Sequence, residues 1–210
     1  MGMLKILGRT TSINVRKVLW ACDYLGLQYE REDWGRGVRP TSEPEFLALN
    51  PNAQIPVLIE GDFVLWESQA ILRYLATTEG DSALLPQEIR PRAIVNQWLD
   101  WYATGMGPAM TYGFHALGRQ TAGYDDRARV EDSVKSTRKY LDILEQTFED
   151  HRAFVAGDTF TLADIPVALG LNRWRGLQIK GETARPRLER YMERISGVPG
   201  SVPWCTSKFD

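Results

Sequence analysis

The pattern of apolar and polar positions changes halfway along the chain. The first part carries short apolar runs and tight turns; the second carries long helical faces. Met3 to Leu7 (MLKIL) is a compact apolar run closed by Gly8, which predicts a strand. Val15, Val18, Leu19, Cys22 and Leu25 recur three and four apart, predicting a helix that stops at Gly26, with Cys22 as a core residue. Gln28 to Asp33 alternates weakly and is polar, the pattern of an edge strand. Trp34 to Pro44, rich in Gly, Pro and Arg, reads as loop, and Glu45 to Leu49 has room for one or two helical turns before Asn50-Pro51. Val57-Leu58-Ile59, the turn Glu60-Gly61-Asp62 and Phe63-Val64-Leu65 predict a hairpin. Ala70, Ile71, Tyr74 and Leu75 then follow helical spacing, with Ser68 as the expected N-cap.

Thr78 to Gln87 holds Gly80, Asp81, Ser82 and Pro86 and reads as a linker, which divides the chain into 1–78, a connection 79–89, and 90–210. Beyond it no strand pattern occurs. A helix is expected over Arg90 to Tyr102, with Pro91 near its first position. Gly105, Gly107 and Pro108 should bend or interrupt it before a second portion through Leu117. Tyr124-Asp125-Asp126 opens another helix whose face is Val130, Val134, Leu141, Leu144 and Phe148. Thr161 and Asp164 have the spacing of a capping box, with Thr161 as cap and Phe160 and Ile165 as its staple. A last helix is expected over Pro186 to Ile195, and Gly197 to Asp210 reads as irregular. The order βαβ–ββα followed by helices alone gives an α+β class: a thioredoxin-like N-terminal domain with a right-handed crossover, then an all-α helical bundle.

Composition narrows the functional classes. Hydrophobic residues make up 43% and charged residues 25%, ordinary values for a globular chain of 210 residues. A net charge of −2 argues against a nucleic-acid footprint, and no apolar run approaches the length of a membrane span. The N-terminus lacks a charged region followed by an apolar one. Two cysteines, Cys22 and Cys205, fit a reducing compartment, so cytoplasm is the expected location. No metal-ligand spacing occurs.

The chemistry gathers at two helix starts. A first helical turn offers unpaired N–H groups and partial positive charge, so Ser68 could hold a carboxylate while Glu67 meets an adjacent ammonium. Together they would hold an α-amino-acid head group. Pro56 stands where a cis bond could turn the backbone edge of Ile55 toward a ligand. The run NPNAQIPVL…LWESQAILRYL resembles the glutathione S-transferase family, and the resemblance extends over nearly the whole chain. It implies a cis proline at Pro56, a backbone contact from Ile55 to the cysteinyl part of glutathione, and Glu67-Ser68 at its γ-glutamyl end. The family often carries glycine two or three residues before this proline, where Ala53 and Gln54 stand here.

The segment TTSINVRKVLW resembles the serine-type members through Ser12 and Arg16, and a bacterial, nu-like subgroup through Ser12 and Asn14. No tyrosine or cysteine lies there, which disfavours the tyrosine- and cysteine-type classes. The thiolate donors in view are Ser12 and Asn14, with Thr10 and Thr11 as alternatives; whichever of Ser12 and Asn14 caps the helix is less able to serve sulfur. For the glycine carboxylate of glutathione, Gln54, Arg39 and Arg36 are the candidates. The second-substrate pocket is expected between the domains, lined by Trp101, Tyr102, Met106, Tyr112 and His115, with Trp174 from a later helix. The resemblance implies a glutathione-dependent transferase with glutathione as co-substrate, a small-molecule electrophile, a homodimer, a role in detoxification and neither nucleic acid nor membrane as partner. A disulfide or peroxide reductase on the same site, or a non-catalytic binding module of the same fold, are the other readings.

Overall fold

The computed structural model describes residues 2–78 and 83–205, and the chain divides into two compact units, Met1–Asp81 and Ser82–Asp210. In the first unit, strands β1 (Leu4–Leu7), β2 (Tyr29–Glu32), β3 (Val57–Glu60) and β4 (Phe63–Trp66) form one sheet in the order β2-β1-β3-β4. β1 runs parallel to β2 and antiparallel to β3, which pairs antiparallel with β4. Helix α1 (Ile13–Leu25) supplies the crossover between β1 and β2, α2 (Pro44–Leu49) precedes β3, and α3 (Ser68–Thr78) follows the hairpin. The βαβ–ββα expectation is met, with strand ends within a residue or two of those read from the sequence.

Two helix faces carry this unit. Val15, Val18, Leu19 and Cys22 of α1 are buried, as are Ile71, Leu72 and Leu75 of α3, and the two helices pack against each other. Each such aliphatic side chain contributes about 1.5–3 kcal/mol on burial. The Cys22 thiol is pushed up to about 12, first by burial and then by Asp23, so it acts as a small hydrophobe rather than a nucleophile. A second core of Leu7, Trp34, Phe46 and Val57 takes Ile55 against it, with the Trp34 and Phe46 rings 5.0 Å apart. The polar loop 34–44 is therefore pinned by Trp34 to the sheet that presents Pro56.

The second unit is helical. After α4 (Ile89–Trp101), a π-helical turn (Tyr102–Met106), α5 (Gly107–Gly113) and another π turn (Phe114–Gly118) follow without a break. The expected interruption at Gly105, Gly107 and Pro108 thus takes the form of a widened turn over Tyr102–Met106, with Pro108 in the first turn of α5, where its missing N–H costs no helical hydrogen bond. Pro91 is the third residue of α4, not the first. α6 (Arg127–Thr147) is capped by Asp126, whose carboxylate accepts from the N–H groups of Ala128 and Arg129. Ser133 of α6 donates to the Ala109 carbonyl at 2.6 Å and accepts from the Gly113 N–H at 2.9 Å, joining α6 to α5.

α7 (Asp164–Gly176) is buried along nearly all its length, and α8 (Pro186–Ser196) packs at the base of the unit. The capping expectation at α7 needs correction. Residues 162–163 form a turn, so Ala163 rather than Thr161 occupies the cap position. The Asp164 half of the box is present, its Oδ2 accepting from the Thr161 N–H at 2.9 Å. The Thr161 hydroxyl donates to the same carboxylate oxygen at 3.2 Å instead of accepting from the helix. Asp164 Oδ1 also accepts from the Val155 N–H at 2.9 Å and the Tyr191 hydroxyl at 3.1 Å, so one carboxylate ties a loop and α8 to α7.

The tail is not wholly irregular: α9 (Ser201–Cys205) forms a short helix, with Pro203 in its first turn and Ser201 and Cys205 buried. Of the connection read as 79–89, residues 79–82 lie outside the described residues. Leu84 and Leu85 are buried, and the Leu84 carbonyl accepts from the Leu162 N–H at 2.9 Å within the second unit. Residues 206–210 also lie outside the described residues.

Candidate active site

Three segments of the first unit meet around Gly8. A Cβ added at Gly8 would lie 2.5 Å from Val15 Cγ2 and 3.1 Å from Ile55 Cβ, and its φ is +146°. The missing side chain lets the loop into α1 and the approach to Pro56 close on the end of β1.

The loop into α1 presents Ser12 at the cap position, with extended backbone and its carbonyl accepting from the Arg16 N–H at 3.0 Å. Its hydroxyl makes no cap hydrogen bond. Asn14 is the second helical residue, not the cap; it is exposed, and its Oδ1 accepts from Lys17 Nζ at 2.9 Å. Thr11 Oγ1 accepts from Arg9 Nη1 at 2.7 Å, and the Thr10 carbonyl accepts from Arg16 Nε at 2.6 Å. Arg16 is buried and so braces the loop rather than facing a ligand.

The Ile55–Pro56 peptide is cis. The turn before it is built by buried Asn50, whose Nδ2 donates to the Gln54 carbonyl at 2.8 Å and whose Oδ1 accepts from the Asn52 N–H at 3.0 Å. Ala53 holds φ +54°, a left-handed conformation that glycine adopts without steric cost. Asn50 was legible only as turn chemistry; its role as the turn's internal brace depends on the fold.

At α3 the expectation for Ser68 also needs correction. Ser68 is the first residue of the helix and buried, while Glu67 takes the cap position with φ +73° and its carbonyl accepts from the Ile71 N–H at 3.0 Å. A non-glycine residue in this region costs on the order of 1–3 kcal/mol and is kept where its surroundings impose it, commonly at ligand sites. The Tyr74 hydroxyl donates to Glu60 Oε2 at 2.5 Å, which ties α3 to the end of β3.

Other residues singled out from the sequence have different roles. Arg39 stacks on Trp34 at 4.0 Å and pairs with Glu32, Glu43 and Glu45, so its donors already face three carboxylates. Arg36 is exposed. In the second unit, Tyr102 and Met106 are buried against Gly170. Trp101 is half-buried, edge-on to Trp98 and Tyr140, and Tyr112 packs on Tyr124 with the Arg129 guanidinium 4.2 Å from its ring. His115 stacks on Tyr124 at 4.4 Å, and Trp174 is buried with Nε1 donating to Glu182 at 3.2 Å. Among the described residues no group of three or more His, Cys, Asp or Glu could hold a metal ion.

The chain has extensive similarity to known proteins. The family model "Glutathione S-transferase, N-terminal domain" matches residues 3–77, and "Glutathione S-transferase, C-terminal domain" matches residues 106–199. The chain is 32% identical to glutathione S-transferase GstB of Escherichia coli over 94% of its own length and 95% of that protein's. It is 35% identical to glutathione S-transferase 3 of Zea mays over 95% of this chain and 91% of the maize protein. Among solved structures, the theta class glutathione S-transferase of Xanthomonas axonopodis pv. citri with glutathione bound matches with a TM-score of 0.92 at 28% identity, covering 100% of both chains. The chain belongs to the glutathione S-transferase family.

Proposed function

We propose that this protein is a serine-type glutathione transferase in which Ser12 donates to the thiolate of glutathione. What carries the reading is that the Ser12 hydroxyl stands at the start of α1 and is not used to cap it. The partial positive charge of the helix start favours an anion there, and a hydroxyl hydrogen bond adds to that. Glu67 and Ser68 would hold the γ-glutamyl end, and Ile55 beside Pro56 the cysteinyl backbone, with Gln54 in the same turn. With an organic halide the sulfur–carbon bond forms, the carbon–halogen bond breaks, halide leaves, and the thiol proton passes to solvent. With an activated alkene the sulfur adds to one carbon and a proton completes the other.

The reductase alternative uses the same site. The observation that favours it is the exposed Asn14 two residues after Ser12, the pairing that resembles the nu-like subgroup. Turnover with organic halides, an activated alkene, hydroxyethyl disulfide and a hydroperoxide separates the two: conjugation dominant supports the first reading, disulfide reduction dominant the second. Trp101 and Tyr112 remain the candidates for second-substrate contacts.

We further propose a homodimer acting in detoxification in the cytoplasm. Phe63 and Trp66 of β4 are exposed at 41% and 38%, a pair of large apolar side chains suited to a partner subunit. Sedimentation at micromolar concentration tests it, a monomer counting against it. No described helix is long and apolar enough to cross a membrane.

A further inference from the structure

The second unit holds a cavity of about 610 Å³, a size that suits a small organic molecule. Its walls are largely apolar: Leu141 of α6, Leu171 and Trp174 of α7, Ile179 of the connection that follows, and Leu188 and Met192 of α8. The Trp174 ring is held in place by its own bond, Nε1 donating to Glu182 Oε2 at 3.2 Å. Every lining residue belongs to the second unit, whereas Ser12, Ile55 and Glu67 belong to the first.

The four charged residues of the lining are matched within the protein. Arg175 pairs with Glu189. Arg185 donates from Nε to Asp142 Oδ1 at 2.9 Å and from Nη1 to Glu182 Oε2 at 3.2 Å. Glu182 also accepts from Arg138 Nε at 2.9 Å. A charged ligand would have to break one of these pairs or enter apolar walls without a counter-ion, and both are costly. Gln178 is different. It is exposed, its backbone is left-handed at φ +49°, and its side-chain amide makes no hydrogen bond among the described residues. A non-glycine residue in this conformation is kept where its surroundings impose it, commonly at ligand clamps. Its amide offers the cavity both a donor and an acceptor without a charge.

We propose that this cavity is a second ligand site, separate from that of glutathione. It takes an uncharged, flat, largely apolar molecule with one N–H, hydroxyl or carbonyl group, which the Gln178 amide meets.

Two fluorescent probes test it: phenylnaphthylamine, which is neutral, and anilinonaphthalene sulfonate, its charged counterpart. Each is titrated into the full chain with and without S-hexylglutathione, in the parent, Ala184→Trp and Gln178→Ala. Ala184 and Gln178 are both exposed lining residues, so neither change disturbs the core. With S-hexylglutathione present, the neutral probe should bind saturably and at least about tenfold more tightly than the sulfonate. Its affinity should be the same without S-hexylglutathione. Ala184→Trp, which puts a large side chain into the cavity, should weaken it about tenfold or more, and Gln178→Ala about threefold. An affinity unchanged in either variant, displacement by S-hexylglutathione, or a sulfonate bound as tightly and lost with the same substitutions overturns the proposal. Sedimentation that changes in Ala184→Trp while the neutral probe fails to bind the parent would give the cavity to a second copy of the chain, and also overturns it. If S-hexylglutathione itself does not bind, the transferase reading fails, and the two variants still judge the cavity.

Discussion

Arg16 Nε donates to the Thr10 carbonyl at 2.6 Å, reaching back from the first turn of α1 across Ser12 to the loop in front of it. The guanidinium is buried, so this bond braces the loop from the helix side, beside the Ser12 N–H bond to the Arg9 carbonyl at 3.2 Å. Arg16→Met should therefore lower stability by about 1.5–3 kcal/mol, the worth of a charged hydrogen bond. It should also weaken glutathione binding, because Ser12 loses its fixed position. Urea unfolding and glutathione titration on the same samples check both; stability lost with binding intact would mean that the brace does not set the site.

Glu67 separates stability from function. Its backbone is left-handed at φ +73°, where glycine sits without strain, while its side chain is the proposed partner of the γ-glutamyl ammonium. Glu67→Gly should leave stability unchanged or raise it by up to about 1 kcal/mol, and weaken glutathione binding about tenfold or more. Glu67→Ala, which keeps the strain and loses the carboxylate, should bind as poorly without the gain in stability. Thermal unfolding with calorimetric titration measures the pair.

Asp164 makes stability depend on pH. It is fully buried, and burial raises its pKa from 3.8 to about 6 against four hydrogen bonds that favour the anion. A raised carboxyl pKa means that the folded protein holds this proton more tightly than the unfolded chain. Its contribution is therefore complete below about pH 4 and is lost as pH rises through about 6, a change of about 2–3 kcal/mol. Paired carboxylates such as Asp150, held at about 2 by Arg152, act in the opposite sense, so the comparison must be with Asp164→Asn. The stability difference between parent and variant should shrink from pH 4 to 7. A difference that grows over that range contradicts the assignment.

Much of this fold could be read directly. Short apolar runs such as Val57-Leu58-Ile59 and three–four spacing such as Val15, Val18 and Cys22 are local signals, and the elements they predict occur. The errors fall where neighbours decide. Ser68 looked like a cap because serine favours that position, but the turn out of β4 forces Glu67 into it in a left-handed conformation. Thr161 looked like a cap until the turn at 162–163 moved the helix start to Asp164. Arg39 meets Glu32 of β2, Trp34 after it, Glu43 before α2 and Glu45 within α2, an engagement that sequence spacing alone does not show. Tyr102 and Met106 are buried against Gly170, and an aromatic stripe does not itself reveal which of its side chains face inward.

In the proposed mechanism the Ser12 hydroxyl favours the thiolate of bound glutathione. A hydroxyl cannot remove the proton at neutral pH; it stabilises the anion, and a hydrogen bond to a charged group corresponds to about one to two pKa units below the free thiol value. The deciding measurement is thiolate absorbance of bound glutathione against pH in the parent, Ser12→Ala and Asn14→Ala. The thiol pKa should be depressed in the parent, rise by about one unit or more in Ser12→Ala and change little in Asn14→Ala. A pKa that moves only in Asn14→Ala, or in neither variant, would contradict it.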